Sequence, residues 1–230
     1  MLNLAELEET HFKNILQEMD HLTQKEGVSY LHPSKRWEYP WALQQAELDE
    51  NSVILDAGSG ASIFPVYLAK RVRYVSALDV DLPQKRIDRL HREKVGYARG
   101  FLSALPYLAE CFDFIFCISV IEHLPDNDRN ATLREFHRVL KPGGKLLITT
   151  DFYEDASAEI WYSGPGKEFP VDWNFFDESE LRRHILQAPG FTLVGNLDLD
   201  LNWQEVKPAM RRFHGYPYTS VGIQLKKIQI

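Results

Sequence analysis

Residues 53–60 run Val-Ile-Leu-Asp-Ala-Gly-Ser-Gly, an apolar stretch closed by an acid and two glycines. A short apolar run that ends in glycines is typical of a buried strand followed by a tight turn. Gly58 and Gly60 let the backbone take unusual angles and approach a ligand closely. Residues 63–69 are apolar at helical spacing. The segment therefore predicts a strand–turn–helix unit, and open α/β sheets bind their ligands at such turns.

A second acid indicates what kind of ligand this turn binds. Residues 74–79 predict the next strand, which ends in Asp79. An acid about 20 residues beyond a glycine turn, at the tip of the neighbouring strand, can accept hydrogen bonds from both ribose hydroxyls. We therefore expect a cofactor that contains a nucleoside. A nicotinamide dinucleotide is one candidate, but Ile63 occupies the place of the third glycine in its fingerprint, and Asp56 is foreign to it.

Residues 55–62, Leu-Asp-Ala-Gly-Ser-Gly-Ala-Ser, resemble the first motif of the class I S-adenosylmethionine-dependent methyltransferases, L-D-x-G-x-G-x-G. Segments 112–119, 120–125 and 133–144 resemble further motifs of that family in the same order. The resemblance covers roughly residues 50–150. It implies an α/β fold with a Rossmann-like, doubly wound, mostly parallel seven-stranded sheet and a C-terminal antiparallel hairpin. It also implies S-adenosyl-L-methionine as the cofactor.

The resemblance implies a set of cofactor-binding residues at the carboxyl ends of the strands. They are Asp56, Gly58, Ser59, Gly60, Asp79, Val80, Leu102 and Ser119, with Arg36 as a partner for the cofactor carboxylate. The alternative for Arg36 is a solvated surface arginine. Two positions depart from the family pattern, because Ser62 replaces the third glycine and Phe101 stands where an aspartate often binds the adenine amino group. Either backbone groups near Leu102 hold the adenine, or the alignment slips by one residue.

Methyl transfer makes few demands on catalytic side chains, because a methyl sulfonium is already a good electrophile and positioning supplies most of the acceleration. A hydroxyl acceptor benefits from a general base. Glu122 and His123 follow the fourth predicted strand at the cofactor edge and are the catalytic candidates. The alternative is that either residue satisfies the start of the next helix. Asp151 ends the fifth strand, where metal-dependent relatives place a ligand, but no further ligands match it, so no metal is predicted.

The chain divides into three parts of one predicted methyltransferase domain: a helical cover over 1–50, a cofactor-binding core over 51–150, and lid loops with closing strands over 151–230. The cover is predicted as an amphipathic helix over 3–24, a loop over 27–40, and a short helix that Pro40 opens. In the core and closing part, strands are expected near 52–56, 74–79, 95–100, 112–118, 145–150, 191–199 and 219–227, and helices near 63–72, 83–94, 127–140 and from 177 onward.

Two stretches, residues 152–176 and 202–217, break the alternation and are rich in aromatic side chains. Long irregular segments inside a compact domain are usually lids or binding loops. We expect both stretches to cover the acceptor side of the cofactor, with Tyr153 and Trp161 contacting the substrate. The alternative is that these aromatic side chains pack a satellite core.

Composition limits the partners. A net charge of −7 argues against a large nucleic-acid footprint, and the basic cluster within 83–94 is interpreted as a solvated helix face. No run approaches the ~18 apolar residues of a membrane span. The N-terminus lacks the basic and apolar regions of a signal peptide. Two cysteines are too few for a disulfide framework, which favours a reducing, cytoplasmic location.

We therefore predict a cytoplasmic methyltransferase that acts on a small molecule, with a sugar or another biosynthetic intermediate as the candidate, and with no nucleic-acid or membrane partner. Two alternatives belong to other classes. One is a nicotinamide-dependent oxidoreductase, and the other is a non-catalytic cofactor-binding module of the same fold, which Ser62 and Phe101 leave open. The sequence determines neither the acceptor atom nor the oligomeric state.

Overall fold

A computed structural model describes residues 1–28, 32–171 and 173–229. Helices and strands alternate through its middle third and are supplemented by helices before it and strands after it. In chain order the elements are a 3₁₀ turn (Glu6–Glu8), α1 (Thr10–Glu26), α2 (Lys35–Ala46), β1 (Val53–Ala57), α3 (Phe64–Leu68), β2 (Tyr74–Asp79), α4 (Gln84–Arg92), β3 (Gly96–Arg99), β4 (Phe112–Ile118), a 3₁₀ turn (Ile121–His123), α5 (Asp126–Val139), β5 (Leu140–Phe152), β6 (Trp161–Gly164), β7 (Lys167–Pro170), α6 (Glu178–Leu181) with a π-helical turn (Arg182–Leu186), β8 (Phe191–Leu193), α7 (Trp203–His214) and β9 (Thr219–Lys227).

Seven strands form one sheet in the order β3-β2-β1-β4-β5-β9-β8. The first five strands pair in parallel, whereas β9 runs antiparallel to both β5 and β8. Strand β1 lies near the centre, so Asp56 is paired with Ala77 on one side and with Phe116 on the other. The predicted fold class, a mostly parallel seven-stranded sheet with an antiparallel C-terminal pair, is confirmed.

Apolar side chains cover both faces of this sheet, as parallel strands require. On one face, Phe136 of α5 packs in a cluster with Leu146 and Ile148 of β5. On the other face, Phe64 of α3 stacks on Tyr39 with ring centroids 4.4 Å apart, and its ring meets Phe116 edge-on at 5.2 Å. Because helices occupy both faces, the carboxyl ends of the parallel strands form the open edge where a ligand can enter.

The N-terminal cover differs from the prediction in two places. The predicted helix is interrupted at Glu9, which has extended backbone angles, and α1 then continues to Gly27, whose φ of 59° ends it. Much of the predicted loop is helical, because α2 begins at Lys35 and carries Pro40 as its sixth residue. Trp37 and its aromatic neighbours are buried against the core, and this burial outweighs the missing N–H of the proline. Residues 29–31 of the predicted loop lie outside the described residues.

The C-terminal part contains more regular structure than predicted. The stretch 202–217 is largely the helix α7, which carries Pro208 as its sixth residue and ends at Gly215 with φ of 88°. The stretch 152–176 contains the β6–β7 hairpin, and the strand expected over 191–199 is only three residues long. The helix expected from 177 onward begins with a cap, since the Asp177 side chain accepts a hydrogen bond from the Glu180 amide at 2.8 Å.

The basic cluster is only in part the solvated face that the sequence suggested, because Lys85, Arg92 and Lys94 are exposed but two arginines are not. Arg86 and Arg89 on α4 are buried, and their guanidinium groups donate to the carbonyls of Ser62 and Glu26. Both cysteines are free thiols, and Cys117 is buried in β4 as expected. Among the described helices, none combines the length and the apolar character that a membrane crossing requires.

Candidate cofactor site

The glycine turn after β1 is fastened to the end of β2. The amides of Gly58 and Ser59 both donate to the Leu78 carbonyl, at 2.9 and 3.1 Å. Gly58 and Gly60 have φ of 77° and 51°, in the left-handed region that favours glycine. A Cβ on Gly58 would lie 2.6 Å from the Val120 side chain, whereas a Cβ on Gly60 would meet nothing within 4 Å. The turn therefore packs tightly against the segment after β4 at Gly58 and is open at Gly60.

Asp79 at the tip of β2 contacts the turn directly. Its Oδ2 atom accepts a hydrogen bond from the Gly60 amide at 2.8 Å. Its Oδ1 atom lies 3.4 Å from the Asp81 amide. The structure thus brings together the two features from which the sequence predicts a nucleoside site.

A cavity of about 290 Å³ opens beside Asp79 at the carboxyl edge of the sheet. Its volume is near the lower end of the range for small-molecule pockets. Six of the predicted site residues line it: Gly58, Asp79, Val80, Leu102, Ser119 and His123. Phe101 also lines it and is largely exposed. The apolar side chains of Val80, Leu102 and Phe101 suit the flat face of a nucleobase better than its polar edge.

Two polar atoms behind the turn have no hydrogen-bond partner within the described residues, Asp56 Oδ2 and Ser59 Oγ. Burial raises the pKa of the Asp56 carboxyl to about 7, with Arg86 opposing the shift and Asp79 adding to it. Buried polar atoms normally find partners. These two atoms therefore fit a site for a ligand with polar groups, such as the amino-acid end of S-adenosylmethionine.

Arg36 lies away from this cavity. Its guanidinium forms an ion pair with Asp20 of α1, with Nη1 and Oδ1 3.2 Å apart. The neighbouring Lys35 points inward instead, and its Nζ lies 2.7 Å from Glu38 Oε2. Burial opposes the charge of Lys35, but Glu38 and Tyr39 outweigh that effect and raise the pKa of the ammonium above its ordinary value. The inward-facing cation of the cover is thus Lys35, one residue from the predicted position.

Glu38 contacts the cavity-lining residue Ser119, and the sequence did not reveal this contact. It is fully buried, and it accepts hydrogen bonds from hydroxyl groups on three strands or strand ends: Ser119, Thr149 and Ser220. Burial opposes ionisation, but Lys35 and the hydroxyl groups of Ser119 and Ser34 together lower the pKa of Glu38. The available signal was the three-residue spacing of Lys35 and Glu38, which places both on one helix face once α2 is recognised as a helix.

The two catalytic candidates occupy different surroundings. Glu122 is fully buried, its Oε1 accepts from the Asp151 amide at 3.3 Å, and its Oε2 has no partner among the described residues. Burial raises the pKa of Glu122 to about 7. Burial and then the charge of Glu122 raise the pKa of Asp151. His123 lines the cavity, where burial and then the charge of Lys35 lower its pKa. Glu122 is therefore the candidate that can hold a proton near neutral pH.

The two predicted substrate residues are placed apart. Tyr153 follows β5 and is buried in an aromatic cluster with Phe175 and Tyr218. Trp161 lies on the β6–β7 hairpin and is 39% exposed. The aromatic stretches therefore supply packing at the end of β5, and substrate contact by either residue stays a prediction.

One group of metal-type side chains occurs within the described part of the chain, Asp126, Glu180 and His184. Arg129 and Arg183 already form ion pairs with both carboxylates. Their charge is therefore balanced without a cation, and the group lies outside the lining of the cavity.

Residues 55–148 match the family model of a methyltransferase domain. Residues 55–148 therefore carry a methyltransferase domain, and the motifs in this segment are those that resemble the class I S-adenosylmethionine-dependent methyltransferases. S-adenosylmethionine is the cofactor of this family. The match spans the glycine turn, Asp79 and the 3₁₀ turn with Glu122, so the nicotinamide alternative loses its support.

Curated proteins match about half of this chain. It is 29% identical over 125 residues to ubiquinone biosynthesis O-methyltransferase of Pseudomonas paraeruginosa, an alignment that covers 52% of this chain and 53% of that protein. The chain thus spans about half the length of the curated relatives it matches.

Solved structures share the fold. The cyclase SpnF superposes with a TM-score of 0.63 at 17% identity, over 83% of this chain and 80% of that one. A Burkholderia thailandensis 1,6-didemethyltoxoflavin-N1-methyltransferase, solved with its substrate and S-adenosylhomocysteine, gives 0.61 at 17% identity, over 100% of this chain and 92% of that one. At such identities the likeness concerns the fold alone.

Proposed function

We propose that this protein transfers the methyl group of S-adenosylmethionine to a hydroxyl group of a small molecule, with a sugar or another biosynthetic intermediate as the candidate acceptor. The observation that carries the proposal is the hydrogen bond between Asp79, which lines the cavity, and the Gly60 amide of the glycine turn. It joins the acid that binds ribose to the turn that approaches the cofactor backbone.

Bound S-adenosylmethionine supplies an electrophilic methyl group on a sulfonium. The chain then has to bind the cofactor, orient the acceptor and exclude water. Asp79 binds the ribose hydroxyls, and the turn at Gly58 lets the backbone come close. The side chain of Val120 packs against that turn. In-line placement of this kind can lower the barrier by ~7–11 kcal/mol in favourable cases.

The proton of the hydroxyl group needs an acceptor. The Oε2 atom of Glu122 is buried and unpartnered within the described residues, and it lies on the turn after β4. As the acceptor oxygen bonds to the methyl carbon, the electron pair of the carbon–sulfur bond goes to sulfur and the proton goes to the Glu122 carboxylate. A base whose pKa lies near the working pH is best suited to this task.

Two observations support a small acceptor and one supports a hydroxyl. The cavity measures only about 290 Å³, which favours a small acceptor, and the net charge of −7 disfavours a polyanionic substrate. The curated relative is an O-methyltransferase, and this chemistry agrees with a carboxyl group as base.

The test has two stages. Calorimetry with S-adenosylmethionine, S-adenosylhomocysteine and a nicotinamide dinucleotide should show binding of the first two and not of the third. Transfer from methyl-labelled S-adenosylmethionine to a panel of hydroxylated sugars and phenols, with their O-methylated forms as controls, should then label only the free hydroxyl compounds. Binding without transfer to any free compound or cell extract would favour the non-catalytic alternative, and no binding would overturn the proposal.

A further inference from the structure

Ser119, at the end of β4, has a backbone conformation that its residue type disfavours. Its φ is 51°, in the left-handed region, and it lines the cofactor cavity. A residue with a Cβ is disfavoured there, and such strain persists where surrounding contacts hold it and often marks a functional site. The Ser119 amide donates to the Thr149 carbonyl at 2.9 Å, and its hydroxyl donates to Glu38 Oε2 at 2.8 Å.

The buried carboxylate of Glu38 accepts hydrogen bonds from four side chains. Its Oε2 also accepts from Lys35 Nζ at 2.7 Å and from the Thr149 hydroxyl at 3.0 Å, and its Oε1 accepts from the Ser220 hydroxyl at 3.2 Å. A buried carboxylate with this many partners is fixed in place, because each partner restricts where its oxygens can lie. The Glu38 carboxylate therefore links α2 to β5, to β9 and to the end of β4.

The conformation of Ser119 has a consequence for the next residue. Val120 contacts the glycine turn so closely that a Cβ on Gly58 would lie 2.6 Å from it. The position of Val120 against the turn therefore depends on the backbone at Ser119, whose hydroxyl Glu38 holds.

We propose that Glu38 is a positioning residue for the cofactor site, which acts by holding Ser119 in its left-handed conformation. Helix α2 lies outside residues 55–148, the part that matches the family model. The N-terminal cover is then part of the binding site. This inference rests on the proposed cofactor.

The test is a double-mutant cycle on S-adenosylmethionine and S-adenosylhomocysteine affinity, measured by calorimetry. Glu38→Gln should weaken the binding of both ligands about tenfold, because Ser119 would then leave the left-handed conformation that only glycine adopts easily. Glycine adopts this conformation at little cost. Ser119→Gly is therefore the reference background, and in that background Glu38→Gln should cost less than about twofold in affinity. Glu47→Gln, at the exposed end of α2, is the control and should leave affinity unchanged.

A second comparison remains informative if the Glu38 variants do not fold. Ser119→Ala keeps the Cβ but removes the hydroxyl that Glu38 holds, so it should bind more weakly than Ser119→Gly by about fivefold or more. Equal affinities of these two variants would overturn the inference, as would full loss in Glu38→Gln that glycine at position 119 does not rescue. If wild type itself fails to bind, the proposed cofactor is wrong rather than the role of Glu38.

Discussion

The Asp79 carboxylate and the Gly60 amide are 2.8 Å apart and hydrogen-bonded. They are 19 residues apart in sequence, on the tips of two neighbouring parallel strands. One carboxylate oxygen thus holds the glycine turn, while the other faces the start of the next loop. A change at Asp79 should consequently affect both ribose binding and the order of the turn.

Asp79→Ala should weaken S-adenosylmethionine binding by about 1.5–3 kcal/mol, the usual worth of hydrogen bonds to a charged group. Asp81→Ala is the matched control, because Asp81 is two residues away, exposed and outside the cavity lining. Calorimetry on both folded variants measures the difference. Unchanged affinity in Asp79→Ala would remove the assignment of this site.

The central sheet could be predicted because parallel strands buried on both faces carry continuous apolar runs. Strands β2 and β4 have the predicted bounds, and β1 is shifted by one residue. The first half of α2 and the whole of α7 were missed for one cause. Both helices carry a proline as their sixth residue, and a proline is ordinarily a sign of a helix boundary. Burial of Trp37 and Tyr39 in α2, and of Met210 and His214 in α7, overrides that local signal.

The cofactor half of the site was predictable because its parts are local in sequence. A glycine turn and a strand-end acid have a recognisable spacing. The contacts of Glu38 are not local, since its hydroxyl partners Ser119, Thr149 and Ser220 lie 81, 111 and 182 residues away. No periodic pattern links such residues, and only the folded sheet brings them together.

The two glycines of the turn should respond differently to the same substitution. Both have positive φ, so alanine at either position costs about 1–2 kcal/mol of backbone strain. Only at Gly58 does the added Cβ also collide with Val120. Gly58→Ala should therefore lower both the melting temperature and the S-adenosylmethionine affinity more than Gly60→Ala does. Adding Val120→Ala to Gly58→Ala should partly restore the melting temperature and the affinity. Equal losses in the two glycine variants would contradict the close packing at Gly58.

Arg36→Ala should leave S-adenosylmethionine affinity within about twofold of wild type, because Arg36 pairs with Asp20 outside the cavity. The lost pair is partly exposed and should contribute at most about 1 kcal/mol to stability. Asp20→Ala is the control that removes the same pair from the other side. A loss of affinity in Arg36→Ala alone would support the carboxylate-binding role predicted from sequence.

Asp56 should make the unliganded protein less stable as pH rises. Its pKa is about 7 in the folded state against an ordinary 3.8, so between these values the folded state binds a proton that the unfolded state has lost. Stability from this group is fully present below about pH 4 and is lost as pH rises through 7. Asp56→Asn should remove this slope, so that its stability relative to wild type rises by ~4 kcal/mol between pH 4 and pH 8. Chemical denaturation of both proteins across this range measures it, and parallel curves would refute the shifted pKa.

The identity of the base follows from comparing Glu122 with His123. If the buried Glu122 carboxylate takes the proton, turnover should rise with pH to a plateau above about 7, the pKa that burial gives this group. Glu122→Gln should then lower turnover by about 10²–10⁴-fold while S-adenosylhomocysteine affinity stays near wild type. His123→Ala should change turnover by less than about tenfold and keep the same pH profile.

The contrary result for the base is equally specific. Burial and Lys35 lower the pKa of His123, so a histidine base would place the rising limb below about 6.5. That limb would disappear in His123→Ala and persist in Glu122→Gln. A profile that neither substitution alters would leave positioning alone as the source of the acceleration.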